Sequence, residues 1–187
     1  MTKPATVPPN LLAFEAAPRP YVLAIATPAL LPLISGQQIF QWYQANLCGR
    51  YFTDPRRQRV SFLDTDFVHL VKLVSKYGEE PRNRGMTIGQ IKSGRLKLVH
   101  GRFDSRRAEE LTWARSIIES PDMIVPNWQI MGRANPGDAY IKNFAAQGGR
   151  PIFRVLICGH EGQRRRAVTI FPRERFAAHE IHPILWP

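Results

Sequence analysis

Apolar side chains at Ile39, Phe40, Tyr43 and Leu47 recur at the spacing of one helical face, which predicts a helix over residues 35–47. Ser35 and Gln38 have the spacing of a capping box, and Gly49 supplies a stop. A second stripe, Phe67, Leu70, Val71 and Val74, predicts a helix over 64–77 that Gly78 ends. The basic segment 54–59 between them reads as a solvated loop. Thr87 and Gln90 mark another capped helix, a short one halted at Ser93-Gly94, and 95–98 alternates like a brief strand. Asp104 or Ser105 then caps a helix to Glu119 that buries Leu111, Ala114 and Ile118, and Pro121 ends it.

After Pro121 the period changes to two. Segments 122–128, 138–144, 151–158 and 166–171 are compatible with strands, and 159–162 (Gly-His-Glu-Gly) reads as the turn between the last two. If those two pair, Val168 and Ile170 should be buried on one face and Thr169 should point to the other. Helices followed by a small antiparallel sheet of about four strands define an α+β class, as one domain over 35–187. Residues 1–34 form a Pro-rich arm, holding seven of the 16 prolines. Its apolar part, 21–34, is costly to leave in water and is expected to lie against the domain, a partner or a second copy. Pro28 and Pro32 break that stretch, so it reads as neither signal peptide nor membrane span, and the expected location is cytoplasmic.

Composition narrows the function. With 187 residues, 44% hydrophobic and 22% charged, the chain can bury a core without disulfides or metal. Its 26 basic against 15 acidic residues give a net charge of +11, spread over the whole length. That balance disfavours an ordinary small-metabolite enzyme and favours a polyanionic partner. Arginine outnumbers lysine twenty to six, which suits phosphate recognition, although a high-GC genome enriches arginine as well. Cys48 and Cys158 form no clustered ligand set, so no structural zinc site is expected. No dinucleotide, Walker, zincin or nucleophile-elbow motif occurs, and no cofactor is implied. Carboxylates are too sparse for a two-metal nuclease. An enzyme acting on nucleic acid here would work without metal, hence on RNA, whose 2′-hydroxyl supplies the nucleophile.

The densest candidate chemistry is His100-Gly101-Arg102-Phe103-Asp104-Ser105-Arg106-Arg107. Histidine exchanges protons near neutral pH and arginine keeps its charge, the pairing that phosphodiester cleavage needs. The same stretch also reads as a helix start with a solvated basic patch. Other positions read more simply. His69 lies on the outer face of its helix, and His160 sits exposed in the hairpin turn. Arg164, Arg165 and Arg166 either grip phosphates or solubilise a hairpin tip. His179 and His182 lack a third ligand, Trp42, Trp113 and Trp128 read as core, and Trp186 docks on the surface.

His100–Phe103, Arg106-Arg107, Trp113, Ile117, Pro121-Asp122 and Ile124, followed by Tyr140-Ile141-Lys142 and Thr169-Ile170-Phe171-Pro172, resemble the phage-associated branch of the barnase–EndoU–colicin–RelE-like (BECR) nucleases over about residues 62–176. The resemblance implies metal-independent RNA cleavage on a small antiparallel sheet, by a toxin or phage-encoded factor. It implies His100 as general base or acid, Arg102 and Arg106 on the scissile phosphate, Lys142 on the transition-state charge and Thr169 on a phosphate oxygen. Arg107, Tyr140 and Arg164–Arg166 would contact RNA, and Tyr140, His160 or a cation acting through water would supply the second proton transfer. These groups should converge on one basic cleft, which an acidic antitoxin or immunity protein would cover. The rival reading is a non-catalytic RNA- or protein-binding module of the same fold within a larger assembly, favoured by the Pro-rich arm. A DNA-binding regulator ranks last, because no helix-turn-helix is recognisable.

Overall fold

The computed structural model describes residues 36–71, 74–75, 78–79, 87–93, 108, 110–129, 135–145, 151–162, 164–173 and 176. The arm 1–34, the Ser35 cap, the strand at 95–98, the Asp104/Ser105 cap, His179, His182 and Trp186 lie outside them.

Helix α1 (Gly36–Asn46) buries Ile39, Phe40 and Tyr43 on the expected stripe. Gly49 follows with φ +72°, a left-handed turn that glycine adopts without Cβ strain. Two short strands, β1 (Tyr51–Thr53) and β2 (Arg59–Ser61), form a hairpin, and α2 (Asp66–Val71) buries Phe67, Leu70 and Val71. The helix expected over 64–77 therefore stops at Val71. The strand pair β3 (Val74–Ser75) and β4 (Gly78–Glu79) replaces its last turns, where β-branched Val74 and the break at Gly78 favour extended backbone. Helix α3 (Ile88–Lys92) has the capping box anticipated from Thr87 and Gln90, both hydrogen bonds being present. A 3-10 turn (Leu111–Trp113) runs into α4 (Ala114–Glu119), with Leu111, Ala114 and Ile118 buried as expected.

Strands β5 (Met123–Trp128), β6 (Gly137–Ala145), β7 (Pro151–Glu161) and β8 (Arg164–Arg173) follow. They are joined by β1 and β2 in one six-stranded sheet of order β1-β2-β8-β7-β6-β5. The class is α+β, but the expectation of helices first and about four antiparallel strands needs correction. β1 and β2 intervene between the first two helices, and β2 pairs with β8 in parallel, which makes the sheet mixed. Such short strands leave little periodic signal. Among the described residues no helix is long and apolar enough to cross a membrane.

One apolar cluster joins the helices to one sheet face, with Tyr43, Phe67 and Ile117 packed among Tyr140, Leu156 and Ile170. A second gathers Met123, Ile141, Phe153, Val155 and Phe176 on the opposite face. The register of β7 and β8 slips between Ile157 and Cys158, so that Thr169 lies opposite Ile157 and Ala167 opposite Cys158. Val168 is the extra residue and packs in the second cluster, while Ile170 packs in the first. The expected sharing of one face by Val168 and Ile170 is thus overturned by a β-bulge, which breaks the period-two pattern.

Candidate functional site

Asp138, the second residue of strand β6, is a carboxylate only 1% exposed. Burial alone would raise its pKa, but hydrogen bonds from Arg165 and Arg56 outweigh that and hold it below the usual carboxylate value. Its Oδ2 accepts from Arg165 Nε at 2.9 Å and from an Arg56 terminal nitrogen at 3.0 Å. Its Oδ1 lies 3.2 Å from His160 Nε2.

The loop between β1 and β2 delivers Arg56. Asp54 closes that loop through its Oδ1, which accepts from Gln58 N at 2.8 Å, and Arg57 turns it with φ +65°. Arg56 folds back onto Asp54 Oδ2 and over the Tyr140 ring, 5.8 Å from its centroid. The Tyr140 hydroxyl donates to Asp54 at 2.9 Å. The segment read as a solvated loop is therefore partly tucked in, because Arg56 meets two buried carboxylates. Tyr140 is fully buried with its hydroxyl on Asp54, and burial pushes its phenol far up, so the side chain lies inside the fold rather than on the surface expected to contact RNA.

Strand β7 extends to Glu161, beyond the turn expected at 159–162, and Gly162 begins the reversal with φ +61°. His160 consequently stands on the ladder opposite Arg165, its side chain 45% exposed. Arg165 Nε and Nη1 are held by Asp138 and Gln58, the second at 2.7 Å, which leaves Nη2. Arg164 is exposed and has no hydrogen-bond or ion-pair partner among the described residues. The parallel pairing of Val60 with Arg165 brings Arg59 beside it. Gln58, His160, Gly162, Arg164 and Arg165 line an open cavity of about 410 Å³. Arg56 and Arg165 offset Asp54 and Asp138, so Arg164 and Arg59 carry the positive excess.

The other anticipated positions scatter. His100, Arg102, Arg106 and Arg107 lie outside the described residues. Lys142 is buried and donates to the Ser120 carbonyl and, at 2.8 Å, to Ser120 Oγ, closing the C-terminal end of α4 where its charge suits the helix dipole. Lys142 pairs with Arg154 and Thr169 with Ile157, and the alternation along β7 puts them on opposite faces. The expectation that Lys142 and Thr169 share one cleft is corrected by that parity. Arg166 turns to Asp66, Thr65 Oγ1 and Glu161 rather than standing open. His69 is exposed, Trp113 is buried, and Trp42 and Trp128 are half-buried.

Sequence reasoning missed the Asp138 hub because its partners come from up to 82 residues away. The available signal was a carboxylate beside Ala139-Tyr140-Ile141, apolar on both parities, where burial requires cationic partners. Among the described residues no three His, Cys, Asp or Glu side chains are placed to hold a metal ion. In comparison with known proteins, no family model, curated sequence or solved structure matches the chain.

Proposed function

We propose that the chain is a metal-independent endoribonuclease that engages RNA at the β7–β8 end of its sheet, with His160 as proton acceptor. One observation carries this: a half-exposed imidazole 3.2 Å from a buried carboxylate, lining a cavity with two arginines. With Nε2 turned toward Asp138 Oδ1 at 3.2 Å, the proposal places the ring proton on Nε2 and the lone pair on Nδ1. In the proposed step Nδ1 takes the proton of an RNA 2′-hydroxyl as its oxygen bonds to phosphorus. The bond to the 5′-oxygen breaks, and that oxygen takes a proton from water. Arg164 and Arg165 Nη2 bind the phosphate oxygens on which charge grows. The +11 charge and the BECR resemblance support the same reading. Phage or toxin origin and an acidic neutralising protein belong to it as proposals, the latter because the same cations suit an acidic cover.

Binding without cleavage is the second reading, favoured by Lys142, whose ammonium is engaged on α4.

Mutagenesis separates the two. His160→Ala is expected to slow cleavage about 100-fold or more, the low end of general-base effects. Arg164→Ala is expected to weaken binding and to reduce the slope of log K against log salt by about 0.7. Cleavage that persists in His160→Ala and disappears in His100→Ala would move the site to 100–107. A wild type that binds RNA without cleaving it selects the second reading.

A further inference from the structure

The C-terminal half of α1, strand β1 and α4 enclose an open cavity of about 520 Å³ that none of the Asp138 hub residues lines. Trp42, Leu47 and Phe52 supply apolar surface. Thr112, Ser116 and Ser120, four residues apart, set a row of hydroxyls along the opposing helical wall. Asn46 gives its amide N–H to the Trp42 carbonyl at 2.8 Å, which leaves Oδ1 as an acceptor. At the rim, Arg115 pairs with Glu119 at 2.9 Å and the two charges offset. Arg50 donates to the Ala45 carbonyl at 2.8 Å, using one of its five N–H donors. Arg50 is therefore the surplus cation.

We propose that this cavity is a nucleotide subsite that stacks a planar base on Trp42 and takes its phosphate on Arg50. The volume falls in the range of small-molecule sites. A half-buried indole with apolar floor and polar walls suits a base, which is flat, apolar on its faces and polar at its edges. The edge groups decide which base. Glu119 and Asn46 Oδ1 are acceptors, so they favour bases carrying an exocyclic amine, cytosine over uracil. The proposal rests on the RNA reading only for the source of the nucleotide: one unit of a single strand rather than a free monophosphate.

Calorimetric titration of the full chain with CMP, UMP, inorganic phosphate and tetracytidylate tests it. CMP is expected to bind saturably and UMP several-fold more weakly. Trp42→Leu and Arg50→Ala are each expected to weaken CMP about tenfold, as loss of a base stack does. The exposed Arg50 variant keeps the test valid if Trp42→Leu unfolds. Tetracytidylate binding tighter than CMP assigns the site to an RNA strand, and equal affinity assigns it to a free nucleotide. The proposal is overturned if CMP does not bind, if Arg50→Ala leaves its affinity intact, or if inorganic phosphate displaces it at equal concentration. RNA binding that falls in Arg164→Ala but ignores Arg50→Ala and Trp42→Leu would sink this subsite and leave the function reading standing. Failure of the function reading shows differently, as CMP bound through Arg50 without any affinity for longer RNA.

Discussion

Asp138→Ala is expected to destabilise the fold by about 3 kcal/mol at neutral pH, near the lower end for breaking a buried ion pair. The substitution takes the carboxylate from Arg165 and leaves Arg56 with Asp54 alone, and the two side chains are only 17% and 18% exposed. Those small openings to water are why the lower end applies. For a chain of this length the melting temperature should fall by about 6–12 °C. The pH dependence has a definite sign. The Asp138 carboxyl is held below its ordinary value, so its contribution is complete above the unfolded carboxylate pKa of about 4. It erodes as pH falls from there through the lower folded value. Wild type and Asp138→Ala should therefore converge in denaturant titrations below about pH 4 and diverge most at pH 6–7. A variant within 1 kcal/mol of wild type at pH 7 would contradict the role of Asp138 as hub.

Arg154→Ala and Glu110→Ala should each cost about 3–5 kcal/mol, because either one leaves an opposite charge in the interior. The two side chains form an ion pair and are 8% and 6% exposed, and the Arg154 guanidinium lies 4.5 Å from the centroid of the Trp113 ring. The double variant Glu110→Leu/Arg154→Met removes both charges and keeps most of the volume. Its stability in urea should lie closer to wild type than that of either single variant. A double variant as unstable as the two singles summed would show that the pair does not act as a unit.

Where a residue's neighbours in sequence are also its neighbours in space, the fold was legible. The α1 stripe, the Thr87–Gln90 box and strands β5 to β8 all depend on contacts within one turn, one ladder or one alternation. Val74 shows the limit: its helical spacing after Phe67 fits a stripe, yet Val74 pairs with Glu79 in a two-residue strand. Strands β1 and β2, three residues each, carry too few alternations to announce themselves. The bulge at Val168 was equally silent, since only the β7 partner reveals the extra residue.

Legibility of the site followed the same rule. Arg164, Arg165 and Arg166 stand out in sequence because they are adjacent, as phosphate grips or as a solubilising hairpin tip. His160 reads as a turn residue, and its proximity to Asp138 depends on the register of β6 against β7. Tyr140 and Lys142 fell on the inward parity of β6, where packing and helix capping decide what they do. No one-dimensional spacing reports that parity until the strand start is known, and Gly137 sets it.

The most direct measurement is the chemistry of the RNA ends produced by the purified chain in excess EDTA. In the proposed reaction, attack by the 2′-hydroxyl with His160 as proton acceptor would form a 2′,3′-cyclic phosphate and a free 5′-hydroxyl without any metal. The account predicts those two ends in wild type and their loss in His160→Ala. Products bearing 5′-phosphate ends, cleavage that stops when the metal is chelated, or the absence of any cleavage would contradict it.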